Sequence, residues 1–387
     1  MRVKSKPVIA LDFRWFDGLN MGCGQYRYSV DLIRALARLQ PEAEFVLLAS
    51  RPEPVPELRD IFHTPLNGWR YRQVSRRRSR RSYYLDHLQY GWVLRRERVN
   101  LLHALHTFIP IFSPCPVVVT QYDMMFELFP EYAEACRSRP YRIHKWLSRN
   151  RVHHIICISE TTAADLRNLW GIPQDKMSVI YLGTELPNGS AMDLSLPQKF
   201  GLSSNDRIVL SPYNLEPRKN LASLLQAVAR LRPRYNTLRL VLFGRAAVTE
   251  DREREFSDLV RQLDLTDRVM KTGFIANEEL IGLYQMATIF VFPSLYEGFG
   301  LPVLEAMAAG VCVIARDASA MAEVLGNTGE LVETKAPESL ANAITRLLDD
   351  PTLRRRLGDA ARERAAMFTT ARMAQRTYEA YLIALNS

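Results

Sequence analysis

Two glutamates eight positions apart, Glu297 and Glu305, frame the stretch SLYEGFGLPVLEAMAAG at 294–310. Between them lie Gly298, Gly300 and Pro302. The apolar run ATIFVF just before them has the character of a buried parallel strand. Pro302 suits the first turn of a helix, where its missing N–H costs nothing. The glycines therefore belong to a strand-to-helix loop at the carboxyl end of a strand, where open α/β sheets bind ligands. Free N–H groups and the positive end of the helix dipole favour an anion such as a phosphate there. Glycines remove side chains that would keep the ligand off the backbone. Carboxylates look misplaced beside a phosphate. However, an ionised carboxylate is acceptor-only and takes two hydrogen bonds from a vicinal diol. A nucleotide-sugar presents both features, a diphosphate for the loop and hydroxyls for the acids. Taken singly, Glu305 reads better as a first-turn acid worth ~0.3–1 kcal/mol through the dipole, and Glu297 as a solvated loop acid. The whole arrangement favours the ligand.

A second glycine loop, GLNMGCGQYRYSV at 18–30, places Gly22 and Gly24 at the start of a helical pattern. It lacks the third glycine of a dinucleotide fingerprint, and no acid obviously serves as a ribose ligand ~20 residues on. His103, His106, His153 and His154 lack metal-ligand spacing, so loop or core roles are expected for them. The five cysteines form no C-x-x-C pair, which suggests neither a zinc site nor a redox dithiol and fits a reducing compartment.

These residues need elements to position them. PVIALDF, FVLLAS, NLLHAL, PVVVTQY, HHIICIS and SVIYLG read as strands, with helical patterns such as QYRYSVDLIRALARL between several of them. Ser159 or Thr161 is expected to cap the helix of ISETTAADLRNLW. Residues 184–202 carry Pro, Gly, Asn and Ser and read as a linker. The pattern then restarts. RIVLSPYN, LRLVLFG, VMKTGF, TIFVFPS and VCVIARD alternate with helices at 221–232, around 252–263 and 278–286, and from Pro302. Strands alternating with helices predict parallel sheets covered on both faces, in two Rossmann-like α/β domains. The expected division is 1–190, 191–368, and a last helix at 369–387 that crosses back to the first domain.

A chain of 387 residues, 47% apolar and 24% charged, is long enough for two cores. The N-terminal apolar run is broken by Asp12 and is too short for a signal peptide, and no run of ~18 apolar residues exists to span a bilayer. The net charge of +9 is unevenly spread: residues 1–200 hold 28 Lys/Arg against 19 Asp/Glu, and residues 201–387 hold 23 of each. The densest part is RYRQVSRRRSRR, Arg70–Arg81. It reads either as a solvated loop or as a surface for anions: phosphates, nucleic acid or an acidic membrane.

The stretch EGFGLPVLEAMAAG resembles the E-x7-E signature of the retaining glycosyltransferases of family 4, which have the GT-B fold. NLEPRKN at 214–220 resembles their phosphate-binding segment, and ICISETTAADL and VIYLGTE resemble their later N-domain pattern. The resemblance implies two Rossmann-like β/α/β domains facing each other across a cleft. It implies that Glu305 binds the ribose, that Glu297 holds the transferred sugar, and that Gly298 and the N–H groups of Phe299, Gly300 and Leu301 line the sugar and diphosphate. Arg218 and Lys219 would neutralise the departing diphosphate, with no metal and no cofactor beyond the nucleotide-sugar substrate. The absence of any D-x-D sequence fits that type. Gly22, Gly24 and Asp123 would complete the donor set. Two positions depart from the pattern: Tyr122-Asp123 stands where His-Asp is usual, and Tyr213 replaces a basic residue before EPRK.

These readings together predict a glycosyltransferase using a nucleoside-diphosphate sugar, with GDP-mannose the favoured donor. A glycan or lipid-linked acceptor would bind the basic front half, at the inner face of the cytoplasmic membrane. The rivals are another GT-B enzyme, a phosphorylase or epimerase, and a non-enzymatic nucleic-acid binder using Arg70–Arg81. The second lacks any nucleic-acid fold motif, so no nucleic-acid partner is expected.

Overall fold

The computed structural model describes residues 6–16, 24–63, 68–74, 90–106, 109–185, 196–244 and 249–387. The chain divides into two compact units, Met1–Gly183 with Thr369–Ser387, and Thr184–Phe368. Much of the expected linker, 186–195, lies outside the described residues, as do Gly22 and 75–81 of the arginine-rich segment.

The first unit is built on seven strands: β1 Val8–Asp12, β2 Glu44–Ala49, β3 Trp69–Gln73, β4 Leu101–Ala104, β5 Val117–Gln121, β6 His154–Cys157 and β7 Met177–Val179. They pair in the order β3-β2-β1-β4-β5-β6-β7, all parallel. β1, β4, β5 and β6 are buried along their whole length, which is why they read as largely apolar runs. Ser159 caps the following helix, its Oγ accepting from the Thr162 N–H at 3.0 Å.

β3 went unread because it lies inside the arginine-rich segment. Its side chains alternate. Trp69 stacks on Phe45 at 4.6 Å and Tyr71 meets Phe62 at 5.4 Å. Arg70 and Arg72 both reach the buried Glu97, at 3.2 and 2.7 Å, and Arg70 also pairs with Glu44. The first two arginines of RYRQVSRRRSRR are therefore sheet-edge residues with internal partners, not a solvated loop.

The second unit is built on β8 Arg207–Pro212, β9 Leu238–Phe243, β10 Val269–Lys271, β11 Ile289–Phe292, β12 Val313–Arg316 and β13 Glu330–Val332. Their order is β10-β9-β8-β11-β12-β13, again all parallel. Helices Leu221–Leu231 and Pro337–Asp349 pack one face of this sheet with Leu224, Leu225, Val228, Ile344 and Leu347, all buried. β13 also went unread; at three half-buried residues it is too short to show a period.

The closing helix Thr370–Asn386 packs in the first unit against the helix Gly24–Leu39. A buried polar chain holds it there. The Tyr381 hydroxyl lies 2.7 Å from His103 Nδ1, His103 Nε2 lies 2.8 Å from Thr120 Oγ1, and Thr120 lies 3.0 Å from the Tyr28 hydroxyl. Burial drives the His103 imidazole down to about 3, so it stays neutral. Gly183 passes so near this helix's start that a Cβ there would lie 2.3 Å from the Thr369 carbonyl carbon.

Candidate active site

In a doubly wound sheet the strand order reverses at one place, and ligands bind beyond the carboxyl ends of the two strands that flank it. In the second unit those strands are β8 and β11. Residues 213–220 leave β8 and residues 293–300 leave β11, so NLEPRKN and EGFG arrive side by side although about eighty positions separate them. The two loops are joined by backbone, with the Leu295 N–H donating to the Arg218 carbonyl at 2.7 Å.

Each loop has a local cause. Asn214 Oδ1 accepts from the Glu216 N–H at 2.9 Å, and Pro217–Lys219 makes one 3₁₀ turn. Asn220 ends that turn with φ +56°, in the left-handed region that asparagine tolerates better than most residues. On the other side Gly300 has φ +91° and precedes the helix Leu301–Ala308, with Pro302 in its first turn. A Cβ at Gly300 would meet the Met321 methyl carbon at 2.3 Å. Phe299 is buried against Phe368, with ring centroids 6.0 Å apart, so its side chain serves the core.

The structure brings Arg218, Lys219 and Glu297 together. Lys219 Nζ donates to Glu297 Oε1 at 2.6 Å, and Arg218 Nη1 reaches the same oxygen at 3.3 Å and the Tyr296 carbonyl at 3.4 Å. Arg218 Nε pairs with Glu216 at 2.8 Å. All three side chains are largely shielded, at 11%, 18% and 13% exposure for Arg218, Lys219 and Glu297. Burial alone would raise the Glu297 carboxyl. The charges of Lys219 and Arg218 override it and hold the carboxyl below the usual carboxylate range.

Glu305 lies one helical turn inside Leu301–Ala308 and is 3% exposed. A carboxylate so deep requires donors. One is the Tyr284 hydroxyl, 2.9 Å from Oε2, brought by the helix Asn277–Met286. Glu297 and Glu305 thus have different settings. One sits among cations at the sheet's switch point, and the other is buried behind a tyrosine.

Sequence reasoning missed Asn220 and Tyr284. The Asn220 amide donates to the carbonyls of Pro293 at 3.2 Å and Thr334 at 2.8 Å, and its Oδ1 accepts from Ser223 at 2.7 Å. It ties the ends of β8, β11 and β13 into one support beneath Arg218 and Lys219. An asparagine directly after a cation pair and before a helix was the available signal.

Gly24 and Asp123 belong to the first unit. Gly24 opens the helix Gly24–Leu39. Asp123 follows β5, and its Oδ1 accepts from the Met125 N–H at 3.1 Å. The two tyrosines that depart from the expected pattern are both structural. The Tyr122 hydroxyl donates to the Leu105 carbonyl at 2.5 Å. The Tyr213 hydroxyl donates to Glu253 at 2.6 Å while its ring packs on Phe256. Neither removes a member of the Arg218–Lys219–Glu297 group.

A two-unit α/β chain, with a cation pair and two acids at the switch point of its second sheet, has the architecture of the GT-B glycosyltransferases. Across 97% of its length it superposes on sucrose-phosphate synthase from Thermosynechococcus elongatus, at a TM-score of 0.77, 24% identity and 98% coverage of that chain. It superposes on Anabaena HepE, solved with UDP-glucose, at 0.75, with 18% identity and coverage of 97% and 99%. The family models "Glycosyltransferase Family 4" and "Glycosyl transferases group 1" match residues 23–186 and 194–364, and the chain belongs to this family of glycosyltransferases. It is 28% identical to the O-antigen chain mannosyltransferase B of Escherichia coli over 85% of this chain and 87% of that one. It is 32% identical to the MMP alpha-(1->4)-mannosyltransferase of Mycolicibacterium hassiacum, over 60% of this chain and 54% of that protein.

Proposed function

We propose that this glycosyltransferase is a retaining, metal-independent enzyme that moves mannose from GDP-mannose to a glycan or lipid-linked acceptor in polysaccharide synthesis. The observation that carries the reading is the Lys219–Glu297–Arg218 group at the β8/β11 switch point. Support for mannose comes from the two relatives named mannosyltransferases.

Glu297 is the counter-anion of the two cations. When a diphosphate enters, Lys219 and Arg218 turn from Glu297 to its oxygens, Lys219 as a point charge and Arg218 as a fork. Glu297 is then released to accept hydrogen bonds from the sugar hydroxyls. Glu305, held by Tyr284, accepts from the ribose. The N–H groups of Phe299, Gly300 and Leu301 line the sugar and diphosphate at the helix start. Gly298 keeps that approach open.

The bond from the anomeric carbon to the diphosphate oxygen breaks with its electron pair passing to the phosphate. The acceptor oxygen bonds to the same face of the oxocarbenium-like carbon, and its proton passes to the leaving phosphate oxygen. The negative charge that develops meets cations already in place, so little reorganisation opposes the step.

A thermal-shift screen with GDP, UDP, ADP and dTDP, each with and without its sugar, tests the reading. The largest rise is expected with GDP and GDP-mannose, because a ligand that binds only the folded state raises stability by mass action. A larger rise with UDP and its sugars would replace the donor. No rise with any would overturn the site. The anomeric configuration of the product, read by NMR, tests retention.

A further inference from the structure

We propose that the solvent face of the helix Arg139–Asn150 docks this protein on an anionic lipid surface. The proposal deepens the reading of a lipid-linked acceptor and rests on that reading for its purpose, but its test does not depend on it.

The positive excess of the chain lies in residues 1–200. Of its densest segment, Arg70 and Arg72 have internal partners. Residues 137–151 hold six Lys/Arg and no acid. Lys145 turns inward to Glu127 at 2.8 Å. The other five, Arg137, Arg139, Arg142, Arg149 and Arg151, are exposed, and none pairs with an acid among the described residues. Arg139, Arg142, Trp146 and Arg149 follow one another at three-, four- and three-residue steps, which is one face of a helix. The opposite side does the folding work. Leu147 and Ser148 are buried, and Tyr141 and His144 meet Trp170 at 6.1 and 5.5 Å. Like charges at this spacing repel, so the arginine face works against the fold.

Trp146 stands amid these arginines, 52% exposed, with the Arg151 guanidinium 5.8 Å from its ring. Phe126, 39% exposed, abuts the same helix through Tyr141 at 5.8 Å, and Leu128 beside it is 40% exposed. Guanidinium groups grip lipid phosphates by paired hydrogen bonds. An indole settles at headgroup depth. Exposed Phe and Leu gain from the acyl boundary and gain nothing from a solvated phosphate backbone, which favours lipid over nucleic acid.

The test is co-sedimentation of the full chain with vesicles of phosphatidylcholine alone and of phosphatidylcholine mixed three to one with phosphatidylglycerol. Binding is expected only to the second. Arg142→Glu with Arg149→Glu should weaken it by roughly tenfold or more, whereas Arg142→Lys with Arg149→Lys should largely retain it. Trp146→Ala should weaken it less than the charge reversal. Three results would each overturn the proposal: no binding to anionic vesicles, unchanged binding by the double-Glu variant, or full displacement of the wild type from vesicles by duplex DNA at equal phosphate. Release of nucleoside diphosphate into solution is measured in parallel and should be equal in all variants. Loss of that release throughout, with vesicle binding intact, would defeat the proposed transferase reading and leave the docking face standing.

Discussion

The two units share one architecture and use their buried polar groups in opposite ways. In the first, Asp12 and Arg14 are 1% and 3% exposed and form a two-pronged pair at 2.9 Å in both arms, with the Arg14 guanidinium 3.9 Å over the Tyr90 ring. His103, Thr120, Tyr28 and Tyr381 bond to one another. These groups are satisfied within the core, so they hold elements together. In the second, Arg218, Lys219 and Glu297 share a single carboxylate oxygen between two cations, at a loop junction where a sheet of this kind takes ligands. A polar group fully enclosed with its partners stabilises. The same group left partly open on a loop junction can exchange its partner, and exchange is what binding requires.

The sharpest way to break this contrast is Lys219→Ala. It should lower kcat about 10²–10³-fold, the cost of losing one preorganised charge at a developing anion, while the melting temperature stays near wild type. Wild-type turnover would remove the second unit from the comparison. Glu305→Ala should raise the nucleotide Kd about 10–100-fold, because a carboxylate's hydrogen bonds are the strong ones. Tyr284→Phe should raise it only about 2–10-fold, as expected for a lost supporting bond. Calorimetric titration measures both, and equal effects would mean that Tyr284 does more than orient Glu305.

Asn220→Asp removes the two amide donors but keeps an acceptor for Ser223. It should lower kcat by about tenfold, the value of roughly one net hydrogen bond, with donor KM changed less. In the Lys219→Ala background it should add almost nothing, since a positioning residue has no effect once its charge is gone. Full additivity would make Asn220 a stability residue and blur the contrast.

The smallest expected effect belongs to the first unit. His103→Gln should leave turnover unchanged and lower the melting temperature. In the wild type, burial takes His103 from 6.5 to about 3. The unfolded chain therefore binds more protons between those values, and stability falls as pH drops through that window. The variant lacks this penalty, so its deficit should shrink from pH 7 to pH 5. A constant deficit would show that His103 does not carry the acid sensitivity.

Much of this was legible in the residues. β1, β4, β5 and β11 announced themselves as short, largely apolar runs because they are buried on both faces. The helix after Gly300 was marked by Pro302 and the glycines. β3 was hidden, because an edge strand alternates and its outward arginines imitate a loop. The Tyr284–Glu305 bond spans twenty-one positions and two elements, and no local pattern encodes it.

Residue type and spacing determined that the chain has two α/β halves and that Glu297 and Glu305 frame a strand-to-helix loop suited to a diphosphate and its diols, and the family resemblance of NLEPRKN added Arg218 and Lys219. The pairings were decided only in three dimensions. Strand order put β8 beside β11 and so seated Lys219 on Glu297, while packing within each unit turned Tyr213 and Tyr122 into scaffold and left three arginines on an open helix face. Hydrophobic periodicity is local and survives in one dimension. Strand adjacency depends on how separate elements cover one another, and burial, charge and hydrogen bonding take their values from that arrangement.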